Sequence, residues 1–187
     1  MLQRRWRKRL SREVEVLLTQ GNNSTAPLVS EFFTPPRVTS ICSRFGLRPG
    51  VARDLDQGWD ARRATDRVQM RKDLRALGRG LGIFSPPCGA LSRLQNMTPD
   101  EKRLDLDRHR QEVREAEGFV DLCVEGCLTL AQRGGYFLME SARGTDAWRR
   151  DSVQRLCSLP ESYTVDVSAC AVGLLDKVSK LPVGKKL

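Results

Sequence analysis

The chain has 187 residues, 40% of them hydrophobic and 6% aromatic, with a formal net charge of +9. That length suits one domain with a core of its own, and no run is apolar and long enough to span a bilayer or to form a secretory leader. The expectation is an intracellular protein of the nucleus or cytoplasm, neither secreted nor membrane-bound; with His109 as the single histidine and six scattered cysteines, no metal site is expected and the thiols are read as reduced.

Arg4, Arg5, Arg7, Lys8, Arg9 and Arg12 crowd the first twelve residues without an acid, which leaves 26 bases against 23 acids in the remainder. Residues 1–27 are therefore read as a basic arm and linker. Clustered Arg suits phosphate, and an exposed or fraying helix accounts for the same composition. The domain proper is residues 28–187. Leu28 to Phe33 reads as a first strand that Thr34-Pro35-Pro36 terminates. Arg37 to Phe45 suits a short helix with Val38, Ile41, Cys42 and Phe45 on one side, capped by Gly46. Arg48 to Leu55 makes a second strand, ending in Asp54-Leu55-Asp56. Ala61 to Leu77 follows as a charged helix with Ala64, Val68, Leu74 and Leu77 inward.

Gly80 to Phe84 is a short interior strand. Pro86 and Pro87 have no N–H and a fixed φ, so the chain must leave the sheet there. Cys88 is then held by stiff backbone at a strand's carboxyl end, the edge where open α/β sheets bind ligands. Thr98-Pro99-Asp100-Glu101 starts a helix that runs to Arg133 on an apolar stripe of Val113, Ala116, Val120, Cys123, Val124, Cys127 and Ala131. Cys123 and Cys127 are read as core fillers of that stripe. Tyr136 to Met139 is an apolar strand ending in Glu140, followed by a helix over Thr145 to Leu159 and a strand around Tyr163 to Val167. Strands alternating with helices predict an α/β fold with a mostly parallel sheet and helices on both faces.

A thiol and a carboxyl group at two strand ends form a workable nucleophile pair. The stretch Ser85-Pro86-Pro87-Cys88-Gly89-Ala90-Leu91-Ser92 resembles the nucleophile motif of the DNA cytosine-5 methyltransferases, and Phe137-Leu138-Met139-Glu140-Ser141-Ala142-Arg143-Gly144 is similar to their Glu-Asn-Val motif. Ser168 to Gly173 is similar to a third, late motif. The likeness runs from about Val29 to Gly173, and extends to methyltransferase-like domains of mobile-element polyproteins.

The resemblance implies a Rossmann-like fold that binds S-adenosylmethionine. Cys88 would attack the cytosine carbon next to the one methylated, and Glu140 would contact the ring nitrogen and exocyclic amine, on a base taken out of the stack. Ser85, Pro86, Pro87 and Ser92 come with the nucleophile motif, and Arg143 or Arg93 would favour the thiolate. Phe33 and Thr34 would border the cofactor, and Asp54 or Asp56 would take its ribose hydroxyls, although by their own pattern both acids read as turn caps. Phe33-Thr34-Pro35-Pro36-Arg37 stands where the family has a Gly-rich turn, Gly89 where it has Gln, and Ser141 where it has Asn. Two functions follow: a cytosine-5 methyltransferase-like enzyme acting on DNA, its chain ending at Leu187 ahead of a target-recognition domain, or the same fold without catalysis, binding nucleic acid or a protein through the arm.

Overall fold

The structure is a computed structural model describing residues 27–92 and 106–167. The arm from Arg4 to Arg12, Arg93, the helix start at Thr98, Cys170 and the motif from Ser168 to Gly173 lie outside the described residues. The chain forms two compact units, Met1–Ile83 with Thr129–Leu138, and Phe84–Leu128 with Met139–Leu187.

The fold is α/β. Strands β1 (Leu28–Phe32), β2 (Arg48–Arg53), β3 (Leu81–Phe84) and β4 (Tyr136–Met139) form one all-parallel sheet in the order β2-β1-β3-β4. Helices α1 (Ala64–Leu77), α2 (Leu106–Gln132) and α3 (Asp151–Cys157) make up the helical part. β1 is central and buried throughout, apart from half-buried Leu28, as the run Leu28-Val29-Ser30-Glu31-Phe32 requires of an interior parallel strand. β2 is an edge strand, which is why it tolerates Pro49. Its register against β1 shifts between Val29 and Glu31, and the Ser30 hydroxyl accepts the Val51 N–H at 3.2 Å in place of a ladder bond.

In the first unit, Val29, Cys42 and Ile83 pack together with Leu47 and Leu81 around them, and α1 lies against β1 and β2. An ion pair of 2.7 Å between Arg53 and the largely buried Asp73 ties β2 to α1. Leu74 and Leu77 on α1 are buried as expected and Met70 joins them, whereas Ala64 and Val68 are exposed. Spacings of four and three residues keep Met70, Leu74 and Leu77 on one stripe, whereas Val68 lies two residues from Met70, on the opposite side, and is 48% exposed. The expected helix over Arg37 to Phe45 is a series of bends closed by a 3-10 turn at Cys42–Phe45. Of its expected apolar side only Cys42 is buried, and Val38, Ile41 and Phe45 face solvent. Gly46 caps the turn at φ 68°, as anticipated.

In the second unit the stripe on α2 is largely as expected: Ala116, Val120, Cys123, Val124 and Cys127 are buried. The predicted helix over Thr145 to Leu159 is a 3-10 turn at Asp146–Arg149 followed by α3, which buries Val153 and Leu156. Arg150 precedes α3 and binds Glu117 at 2.7 Å and Asp121 at 2.6 Å on α2. No strand forms at Tyr163 to Val167. Glu161 takes a positive φ just before it, and Tyr163 and Val165 stay exposed. Among the described residues no helix is long and apolar enough to cross a membrane, and no His, Cys, Asp or Glu group is arranged to hold a metal.

Candidate functional site

β3 and β4 are neighbours, and the chain leaves each of them into a loop that carries a reactive side chain. The Glu140 N–H donates to the Phe84 carbonyl at 2.9 Å, which fixes the two exits side by side. The Ser85 hydroxyl then donates to Glu140 Oε2 at 3.3 Å. Seven residues later an isolated antiparallel bridge joins Ser92 to Thr145. The loop from Ser85 to Ser92 and the loop from Glu140 to Thr145 are therefore stitched together at both ends.

Cys88 lies three residues from Ser85, so its backbone is within roughly 10–11 Å of the residue that binds Glu140. Pro86 is buried, Pro87 is exposed, and Cys88 is half-buried at the start of the 3-10 turn Gly89–Leu91, whose Leu91 N–H returns to the Cys88 carbonyl at 3.1 Å. Among the described residues nothing stands within 4 Å of a Cβ placed at Gly89.

The Glu140 loop is held from below. Ser141 is buried, and its hydroxyl lies 3.2 Å from that of buried Thr145. Trp148 Nε1 donates to the Ala142 carbonyl at 3.1 Å. Arg143 is exposed and its guanidinium is paired with Asp166 at 3.5 Å.

Four further predicted residues lie at the ends of β1 and β2. Phe33 has φ 63°, a left-handed conformation that favours glycine and costs a bulky residue about 1–3 kcal/mol. Its ring packs edge-on against Trp59, centroids 5.1 Å apart. Thr34 is buried, and its hydroxyl reaches only the Pro35 carbonyl, at 3.3 Å. Asp54 Oδ1 accepts the Asp56 N–H at 3.1 Å, the cap of the 3-10 turn Leu55–Gln57, while Oδ2 has no partner among the described residues. Asp56 is exposed and joins that turn.

The residue missed by sequence reasoning is Glu31. Its carboxylate, 1% exposed in the middle of β1, accepts the Val38 N–H at 3.1 Å, the Thr39 N–H at 2.6 Å and the Thr39 hydroxyl at 2.7 Å. A charge within an interior strand must find partners, and that was the available signal. The clamp decides what the turn after β1 can hold. The Phe33 N–H goes to the Arg53 carbonyl and the Arg37 N–H to the Pro35 carbonyl; Pro35 and Pro36 have none. Only the Thr34 amide between Phe33 and Thr39 lacks an acceptor among the described residues. Asp54 with its spare oxygen fits a ribose diol, whereas this turn does not fit the amino-acid end of S-adenosylmethionine.

No protein-family model, curated protein or solved structure matches this chain. The site is therefore read from its own geometry.

Burial sorts the thiols. It pushes Cys123 well above the ordinary thiol range, with Cys127 close by adding to the effect, and it raises Cys127 and Cys42 as well. Cys42 also donates to the Thr39 carbonyl at 3.3 Å. Cys88 and Cys157 are the half-buried thiols among the described residues.

Proposed function

We propose that the chain is the catalytic part of a cytosine-5 methyltransferase-like enzyme of Rossmann-like fold, acting on nucleic acid, DNA first, with Cys88 as nucleophile and Glu140 as its partner. The observation that carries this reading is the bond from the Ser85 hydroxyl to Glu140 Oε2 at 3.3 Å, beside the Phe84–Glu140 backbone bond. Together they bring the Pro-Pro-Cys exit and the carboxyl group to one place.

On a cytosine lifted from its stack, the Cys88 sulfur forms a bond to ring C6 while a proton passes from the Glu140 carboxyl to N3. The ring electrons then reside at C5 as an enamine. Protonation at C5 from solvent, loss of the original C5 hydrogen to solvent, return of the N3 proton to Glu140 and departure of the thiolate restore the ring with its hydrogen exchanged. Ser85 is a positioning residue that holds the Glu140 rotamer. No step is routed through the methyl donor, because the turn after β1 does not fit its amino-acid end.

A second reading is favoured by the Glu31 clamp. With Val38 and Thr39 amides consumed internally, the domain keeps the fold without methyl transfer and serves nucleic-acid or protein binding through the basic arm. Calorimetry with S-adenosylmethionine and tritium release from DNA carrying 5-tritiated cytosine separate the two. Tritium release that Cys88→Ser abolishes supports the enzyme reading, and heat of S-adenosylmethionine binding would overturn the misfit at the turn after β1. Neither heat nor release establishes the second reading, and release that survives Cys88→Ser shows that the nucleophile lies elsewhere. For the arm, deletion through Arg12 is expected to lower DNA affinity and its salt slope.

A further inference from the structure

Every strand of a parallel sheet starts at the same edge. In the first unit the four starts stand in a row. Arg48 opens β2 opposite Leu28 and its N–H reaches the Pro27 carbonyl at 3.0 Å. Gly80 lies against the Leu28 carbonyl, and the Tyr136 N–H reaches the Gly80 carbonyl at 2.9 Å. Three interstrand steps make this row about 14 Å long.

The segments that turn into this edge are 32–53, 74–84 and 126–139, and none contains Asp or Glu. They place Arg44, Arg75, Arg79 and Arg133 there, all exposed and none paired with a carboxylate among the described residues. Arg79 Nε comes within 3.7 Å of where a Gly134 side chain would begin, so the Arg79 guanidinium lies beside the turn that follows Arg133. One cation at a helix end is what the exposed carbonyls select. That does not account for the rings left in solvent beside them: Phe45 is 53% and Tyr136 63% exposed. The arm with its six basic residues joins the fold at Pro27, on the same edge.

We infer that this amino-terminal edge is a binding surface for single-stranded nucleic acid. The four arginines contact phosphates, and Phe45 and Tyr136 offer stacking faces that only unpaired bases can reach, the combination that single-strand binders use. An anionic membrane would find the same charge, and vesicles are therefore set against the oligonucleotide in the test. The surface is independent of Cys88 and Glu140, and stands or falls without the enzymatic reading.

The test uses the full chain, arm intact, and a fluorescent 20-nucleotide oligothymidine titrated by anisotropy over a range of salt. Arg79→Glu/Arg133→Glu is expected to weaken binding by roughly tenfold and to reduce the salt slope by about 1.4, at about 0.7 per phosphate contact on a single strand. Tyr136→Ala is expected to weaken it by roughly fivefold at an unchanged slope. Unchanged affinity and slope in the charge-reversed variant overturn the proposal, as does a loss seen on phosphatidylserine vesicles but not on the oligonucleotide. The second pair Arg44→Glu/Arg75→Glu, on separate turns, gives the same reading should the first variant not fold.

Discussion

Replacing Glu31 tests whether the turn after β1 is held by one buried carboxylate. Hydrogen bonds to a charged group contribute about 1.5–3 kcal/mol each, and a donor left buried and unpaired costs about 1–3 kcal/mol. Val38 is exposed, so water can take over its N–H, whereas Thr39 is 6% exposed and its N–H and hydroxyl would both be stranded. Glu31→Ala is therefore expected to cost about 3–5 kcal/mol, a large part of the 5–15 kcal/mol that holds a typical domain. Glu31→Gln keeps one oxygen for the two Thr39 donors and turns its amide toward Val38, so it is expected to cost about 1–2 kcal/mol. Urea unfolding followed by tryptophan fluorescence reads the difference, since Trp59 lies buried in the same unit. At an m-value of about 2–3 kcal/mol/M the Ala variant should shift the midpoint by about 1–2.5 M. A Glu31→Ala midpoint corresponding to less than about 1 kcal/mol would refute the clamp.

Two other outcomes are expected. With burial raising Cys123, Cys127 and Cys42, alkylation of the native chain near pH 8, located by mass spectrometry, should modify Cys88 and Cys157 well ahead of those three; comparable labelling of Cys123 would show that α2 is not packed as described. Burial disfavours the Asp121 charge, yet the Ser152 hydroxyl and Arg150 guanidinium outweigh it and hold the carboxyl below its usual range. A depressed carboxyl stabilises the fold above its unfolded value of about 3.9, and that contribution is lost as pH falls through the lower folded value. Melting temperatures followed from pH 5 to pH 2.5 should fall less steeply in Asp121→Asn than in the parent, and parallel curves would count against the Arg150–Asp121 contact.

Much of the architecture could be read from residue pattern, and the misses have physical causes. Leu28 to Phe33, Gly80 to Phe84 and Tyr136 to Met139 were placed within a residue or two, because short apolar runs bounded by Gly and Pro have few alternatives. The stripe on α2 was legible because helical period persists over several turns. Val68 misled because Ala64 and Val68 are themselves one turn apart, and nothing local says which of two apolar stripes faces the sheet. Tyr163 to Val167 alternates as a strand should, yet a strand needs a neighbour, and pairing is not encoded within five residues. In the site, the two exits on one sheet edge were expected from the residue pattern; that β3 and β4 are direct neighbours was not. Nor was Glu31, since its partners lie seven and eight residues away across a proline turn.

The double stitching of the Cys88 and Glu140 loops also says how the site opens. The bonds from Glu140 to Phe84 and between Ser92 and Thr145 cannot break one loop at a time without stranding groups in the other, among them buried Thr145. Amide hydrogens at both ends should therefore exchange with solvent together, as a single cooperative opening. A substitution at Thr145, far along the chain from the thiol, should loosen Cys88 as much as it loosens Glu140.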